Sequence, residues 1–418
     1  MRVAVMGGGI GGLAAALSLH AAGIDVDVYE AVAPLKPLGV GINLLPHAVR
    51  ELSELGLAEP LAQLGIATEA LVYANKFGQE IWREPRGLGA GYRWPQYSVH
   101  RGRLQMLLYE TVLARLGHER VHLGKRAVRF DSGEKQATAV FEDGSATTAD
   151  VIVGADGIHS AARVQHYPHE GPPKWNKRIL WRGVTEGPPY LGGRTMVMAG
   201  HQNQKFVCYP IGMAGERSQI NWIAELSFSE GHLWRREDWN RAANLADFLP
   251  KFEGWQFPWL DVPAIIKGAQ LVLEYPMVDR DPLPQWTFGR LTLLGDAAHP
   301  MFPIGSNGAS QAILDARTLA YELATNADTD AALGRYEAAR RPPTAKIVLA
   351  NRGNGPEQVM QMAEDRAPDG FETVDSIISR AELEEVAARY KRMAGFDKDA
   401  LNERPSLSVS AVRGDIGR

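Results

Sequence analysis

RVAVMGGGIGGLAAALSLHAAGIDVDVYE, residues 2–30, opens the chain and carries the pattern from which the fold is read. Arg2–Met6 is short and apolar, as a buried strand is. Five glycines fall between 7 and 12, and an alanine- and leucine-rich helix then runs to Gly23, which suits a helix C′ position. Val26, Val28 and Tyr29 make the next strand. Strand, helix, strand is a βαβ unit, which implies a parallel sheet with a right-handed crossover. Gly7-x-Gly9-x-x-Gly12 stands at the strand–helix junction, where each glycine has a purpose. Gly7 permits the tight turn, Gly9 lets backbone approach a pyrophosphate, and Gly12 lets helix pack on strand. The helix N-terminus offers free N–H groups and the positive end of its dipole to phosphates. Glu30, ending the second strand, can accept from both ribose hydroxyls and would repel a 2′-phosphate. The site therefore favours FAD or NAD over NADP, with Leu13 and Ala31 counted among its contacts. No signal peptide is expected here, because the glycines would weaken its helix and residues 25–30 continue as a strand.

Outward from this unit, residues 47–65 read as one helix and residues 70–82 as a hairpin around Lys76-Phe77-Gly78. Helical periodicity returns at 104–116. Strand-like stretches follow around Val121 and at 137–141, joined through a turn at Asp143-Gly144. Residues 150–157 form a further apolar strand. Between about 178 and 286 the texture becomes short alternating runs rich in tryptophan and proline, as in an antiparallel β domain. The chain then returns to strand plus helix at 291–325 and closes with helices, its last dozen residues expected to be disordered. The fold class is α/β: a Rossmann-like dinucleotide domain with a parallel sheet, an inserted, mostly antiparallel β domain, and C-terminal helices. The first domain takes residues 1–72, 100–176 and 287–352, the second 73–99 and 177–286, and the helical segment and tail 353–418. The 418 residues carry a net charge of −4, which makes no electrostatic case for nucleic acid or membrane. The short pairs Arg235-Arg236 and Arg340-Arg341 read as solvated faces. No apolar run approaches the roughly 20 residues of a membrane span. Cys208, the single cysteine, lies in an apolar run and reads as a buried inert thiol, which fits a reducing, cytoplasmic setting. Histidine and cysteine spacings show no metal pattern.

Two more strand–turn–helix junctions decide which dinucleotide is bound. One is Val153-Gly154-Ala155-Asp156-Gly157; the other, GDAAHPMFPIGSNGASQA (295–312), is far along the chain. A nicotinamide dehydrogenase has no need of the latter, whereas a cofactor with a polyol chain does. The Asp296 carboxylate can accept from a ribityl hydroxyl. Pro303 to Ala309 offers a rigid, side-chain-poor floor for a flat ring. A helix beginning near Ser310 would point its dipole at the ring's pyrimidine end, where negative charge collects on reduction. His299 packs behind the Asp296 turn.

The motifs GGGIGG (7–12), VGADGIHSAAR (153–163) and LLGDAAHPMFPIGSNGASQAILDA (293–316), in this order, resemble group A FAD-dependent aromatic hydroxylases of the para-hydroxybenzoate hydroxylase type. The resemblance covers most of residues 1–352. PLGVGIN (37–43), PQYSVHRGRLQM (95–106), LWRGVTE (180–186) and EYPMVDRDPLP (274–284) look closer still to bacterial phenazine hydroxylases acting on methylphenazine carboxylates. The resemblance implies that Glu30 binds the adenosine ribose and Arg101 the phosphate or ribose region. Asp156 would serve both FAD and the incoming nicotinamide cofactor, and Asp296 the ribityl or pyrophosphate. Gly308 and Ala309 would offer backbone to the pyrimidine, above a floor that includes Pro303. Gly41 would pass close to the ring and leave it room to move, although the family's usual arginines in that loop are absent. It also implies a small aromatic substrate, O2, and NADH or NADPH as co-substrate, in a monomer or homodimer. O2 would add to the flavin C4a, and the hydroperoxide would transfer one oxygen to an electron-rich ring. Candidates for a substrate-facing base are His47, Asn43 and Tyr209, with His47 otherwise a helix-surface histidine; Trp222 and Arg182 are candidate pocket walls. Two other readings stay open: a flavin oxidoreductase without oxygen insertion, and a non-catalytic flavin- or ligand-binding protein. Trp255 to Trp259 does not fit the signature of a flavin halogenase.

Overall fold

The computed structural model describes residues 1–229 and 241–409. The Arg235-Arg236 pair, and the expected disorder of the tail from residue 410 on, lie outside the described residues. A six-stranded sheet runs in the order Thr287–Phe288, Leu291–Leu293, Val151–Gly154, Arg2–Met6, Asp25–Glu30, Val121–Leu123. All pairs are parallel except the first, an antiparallel edge. Its register explains why three distant motifs meet. Met6 lies opposite Gly154, and Gly154 opposite Leu293. The loops leaving these ends therefore share one edge, the place where open α/β sheets bind ligands.

Val3, Ala4 and Val5 are wholly buried, as a parallel strand covered on both faces requires. The helix Ile10–Ala21 packs against Gly308–Thr325, and only a residue without Cβ fits between them: a Cβ on Gly11 would stand 2.9 Å from Leu294 Cδ2. Two local readings are corrected. Residues 47–65 form two helices, Pro46–Glu54 and Ala58–Leu64, because the chain turns at Gly56, whose φ of +79° suits glycine. The Asp143-Gly144 turn joins Ala137–Phe141 to Ala146–Ala149 in a separate three-stranded sheet, not to the Val121 strand.

A seven-stranded sheet makes the second layer, in the order Val272–Asp279, Lys174–Gly187, Arg217–Ser227, Gln204–Ala214, Thr195–His201, Ala70–Ala74, Glu80–Pro85. It is antiparallel apart from the pairing of Thr195–His201 with Ala70–Ala74. The strand from Ala70 crosses the boundary expected at 73, since its alternating side chains serve both faces of this sheet. Val72, Val197 and Phe206 join an aromatic core with Trp181 and Trp222, whereas Leu71, Tyr73, Met196 and Met198 face Phe302 and Ile304. C-terminal helices Gln358–Arg366 and Arg380–Met393 close over the latter face through Val359, Met360 and Leu383. Among the described residues no helix is long and apolar enough to cross a membrane. Cys208 is buried, and burial pushes its thiol up to about 12.

Candidate active site

At the glycine loop, Gly7 has φ +121° and a Cβ there would stand 2.3 Å from Ala155 O; one on Gly12 would stand 2.0 Å from Gly7 O. Gly9 has nothing within 4 Å of its Cβ position, so this side of the loop is open. The helix it precedes has no side-chain cap, leaving its first N–H groups unpaired by side chains. Glu30 accepts from Gly8 N at 2.6 Å and Val32 N at 2.7 Å, and Gln105 Nε2 donates to Gly8 O at 2.7 Å. Ala31 lies beside Glu30, partly exposed. The Leu13 side chain is wholly buried and its N–H is bonded to Gly9 O, so it supports the loop from the core.

In the second junction Asp156 turns inward. Its Oδ2 accepts from Ala161 N at 2.8 Å, its Oδ1 is buried with no partner among the described residues, and burial pushes its pKa up. In the third, Asp296 is exposed at its surface, yet enough protein crowds round it to push its carboxyl up, with His299 and Arg101 opposing. The support behind it is Asp315. It accepts from Gly295 N at 3.1 Å, His299 Nε2 at 2.5 Å and Arg340 Nε at 2.7 Å. Burial works against its charge, but His299 and Arg340 overcome it and hold Asp315 at about 2. Arg340 is thus a buried member of this network rather than a solvated one.

The floor loop beyond is held from the C-terminal side. Gly305 and Ser306 are left-handed, at φ +68° and +57°, and a Cβ on Gly305 would stand 2.1 Å from the Tyr390 hydroxyl. Tyr390 donates to Asn351 Oδ1 at 2.9 Å and accepts from Asn307 Nδ2 at 2.9 Å; Asn351 Nδ2 in turn donates to Phe302 O at 3.1 Å. Pro303 is exposed along the loop. The helix begins at Gly308, two residues before the expected start, because Asn307 turns its amide back to Gly305 O and leaves the end without a side-chain cap. Gly308 has open space at its Cβ position, with Ala309 next to it. These free amides, the open side of Gly9 and the exposed Asp296 fit a dinucleotide carrying a flat ring.

Gly41 is clamped by the large sheet. Its N–H donates to Asn221 Oδ1 at 2.6 Å, while Tyr209 Oη and Arg182 Nη2 each donate to its carbonyl at 2.8 Å. Arg101 packs along Gly39, its Cδ 3.7 Å from that residue's Cβ position, and its N–H donates to Val40 O. The base candidates do not converge. Asn43 accepts from Ser98 Oγ at 2.6 Å. Burial pushes the Tyr209 phenol up to about 12. His47 is not a helix-surface residue: it is wholly buried, stacked on Phe396 at 5.3 Å, and burial lowers it to about 3. Trp222 lies in the aromatic core, donating to Thr185 Oγ1. A small cavity instead meets the floor loop at Gly305 and Ser306, walled by Leu45, Met196, Met198 and Phe396, with Tyr73 and Arg86 on its polar side. Sequence reasoning missed Asp315, Tyr390, Asn351 and Arg86. Asp315 lies inside the third motif itself, whereas nothing near Tyr390 or Arg86 in the chain marks them.

Comparison with known proteins places this geometry. The family described as FAD binding domain matches residues 1–232 and 277–351. The phenazine 1,6-dicarboxylic acid hydroxylase PhzS of Lysobacter antibioticus is 47% identical over 84% of this chain and 89% of its own length. The 6-hydroxynicotinate 3-monooxygenase of Bordetella bronchiseptica is 30% identical, covering 84% of this chain and 91% of its own. Among solved structures, an HpxO variant of Klebsiella pneumoniae complexed with FAD is similar at a TM-score of 0.71 and 25% identity, over 94% of each chain.

Proposed function

Because the chain belongs to the FAD binding domain family and is an FAD-dependent monooxygenase that uses NAD(P)H and O2 on an aromatic compound, we propose that its substrate is a carboxylated N-heteroaromatic of the phenazine class. The observation that carries this reading is the cavity beside Gly305 and Ser306, whose lining is largely apolar and includes Arg86 and Lys391 with Glu84 between them. The chemistry of this lining suits a flat, electron-rich acid, for which the walls must part, since the cavity holds only about 30 Å3. The 47% identity to a phenazine dicarboxylate hydroxylase supports the ring system.

On this reading Gly7, Gly9 and Gly12 admit the pyrophosphate, Glu30 takes the adenosine ribose, Arg101 the phosphate region and Asp296 the ribityl chain. The amides of Gly308 and Ala309, at a helix start without a side-chain cap, would be the donors offered to the ring. Bound FAD supplies electron transfer from NAD(P)H and activation of O2. The chain's own share is placement. Tyr390 and Asn351 hold the floor, and the Met196, Met198 and Phe396 walls keep water from the reacting face. Tyr209, at about 12, keeps its proton and its bond to Gly41 O, so it acts as an anchor rather than a base. We further propose a cytoplasmic enzyme, in keeping with its buried free thiol.

The test is to purify the protein, record its visible spectrum, and add NADH or NADPH with phenazine-1-carboxylate, phenazine-1,6-dicarboxylate and hydroxybenzoates. The expected result is flavin bands, faster nicotinamide oxidation with a phenazine acid, and a product heavier by one oxygen atom. Equal stimulation by every aromatic acid, or oxidation that yields hydrogen peroxide alone with both phenazines, would overturn the substrate class.

A further inference from the structure

We propose that Arg86 is the specificity residue that takes the substrate's carboxylate; this rests on the aromatic-acid reading above. Arg86 follows the strand Glu80–Pro85 and reaches the cavity wall with a side chain only 11% exposed. Its Nη2 pairs with Glu84 Oε2 at 2.9 Å, while its Nε is buried with no hydrogen-bond partner among the described residues. Gln96 Oε1, on the same wall, is also buried and unpartnered. Burial opposes the charge on Arg86, but Glu84 and the phenols of Tyr73 and Tyr92 outweigh it, so the guanidinium stays cationic.

Counting the charged groups that line the cavity settles the sign. Arg86 and Lys391 are cationic, Glu84 alone is anionic, and Lys391 already pairs with Glu84. Among the described residues that line the cavity, two cations thus share one anion, and Glu84 divides its two oxygens between them. A buried, incompletely paired guanidinium is costly, and a carboxylate is the group whose two oxygens match its fork. The floor loop at Gly305 and Ser306 lines the same cavity, together with Met196, Met198 and Phe396, so an acid held at Arg86 would have apolar side chains and the floor loop as its neighbours once these walls part to admit it. The approach is also built. The cavity as it stands is small, about 30 Å3, and shares Glu84, Ala387 and Lys391 with a wider groove of about 680 Å3 between the strand Glu80–Pro85 and the helix Arg380–Met393. An acid arriving through that groove meets Lys391 first and Arg86 at the end.

The test uses FAD-loaded enzyme and two ligands of one shape, phenazine-1-carboxylate and uncharged phenazine. Kd is read from perturbation of the flavin spectrum without turnover, and KM and kcat from NAD(P)H oxidation. Arg86→Gln is expected to weaken carboxylate binding by about 30- to 150-fold through Kd and KM, with kcat changed little and phenazine binding unaltered. Arg86→Lys should restore part of the loss. Glu84→Gln, which frees the guanidinium, should tighten the acid several-fold, a gain that a purely structural role cannot give. An unchanged acid-to-neutral preference in folded, FAD-bearing Arg86→Gln protein, or weaker acid binding in Glu84→Gln, would overturn the proposal. If the wild type prefers the acid in Kd but hydroxylates neither ligand, the substrate reading fails while the role of Arg86 stands.

Discussion

His47 shows at the scale of one residue how burial overrides sequence position. It sits at the second position of the helix Pro46–Glu54, yet its ring is wholly buried against Phe396, with Nδ1 lacking a partner and Nε2 3.4 Å from Gln311 Nε2. Burial, and to a lesser degree Arg404 and Arg340, lower its pKa to about 3, whereas an unfolded histidine titrates near 6.5. Between those values the unfolded chain binds the proton and the folded chain does not. The contribution of neutral His47 is therefore complete above pH 6.5 and is lost as pH falls toward 3, by about 1.4 kcal/mol per pH unit. Thermal melts of wild type and His47→Asn from pH 7.5 to 5 should converge with falling pH, because only the wild type carries this term. Parallel curves would show that the ring protonates in place.

At the scale of elements, the floor loop owes its shape to a neighbour rather than to its own bonds. Residues 301–307 contain two left-handed positions, and one hydroxyl, on the helix Arg380–Met393, holds Asn307 and Asn351 in place. Tyr390→Phe keeps the ring that packs on Gly305 but leaves two buried amide groups short of a partner. We expect a loss of about 1–3 kcal/mol, seen as a lower Tm. FAD content should persist, since the glycine loop is untouched, while more hydrogen peroxide is released per NAD(P)H consumed. An unchanged coupling ratio would mean that the loop needs only the ring.

At the scale of the molecule, the seven-stranded sheet meets the strand Gly41–Leu44, which pairs with Tyr97–His100 outside both large sheets, at Gly41. Asn221, Tyr209 and Arg182 reach from the large sheet to this one backbone unit, leaving no room for a side chain: a Cβ would stand 2.7 Å from Asn221 Cβ and 2.8 Å from Tyr209 Cε2. Gly41→Ala should therefore push the sheet away from the strand Gly41–Leu44 and widen the seam. A ten-fold or greater fall in substrate-stimulated kcat/KM with little change in FAD content is expected, measured by steady-state oxidation and flavin absorbance. Wild-type kinetics would show that the clamp gives way without cost.

The local chemistry was legible in residues 2–30, 153–163 and 293–316, because a glycine at a tight turn, a strand feeding a helix and an acid at a strand end are neighbours in the chain. The resemblance to flavin hydroxylases rested on those stretches, and the family match and the six-stranded sheet agree with it. Hydrophobic period also announced an antiparallel layer and a hairpin from residue 70, but not that the whole strand Ala70–Ala74 belongs to that layer, inside the edge strand Glu80–Pro85. What periodicity reports is that a side chain faces some core, never which one. It could not show that the ring of His47 is sealed under Phe396, nor that Arg340 belongs to Asp315. Tyr390 meets Gly305, and Arg86 meets the same cavity, only because the sheet register and the closing helices bring distant segments together. Contiguous residues determined which cofactor the chain is built for; the substrate's surroundings were decided by tertiary structure, since their partners are set by packing across elements rather than along them.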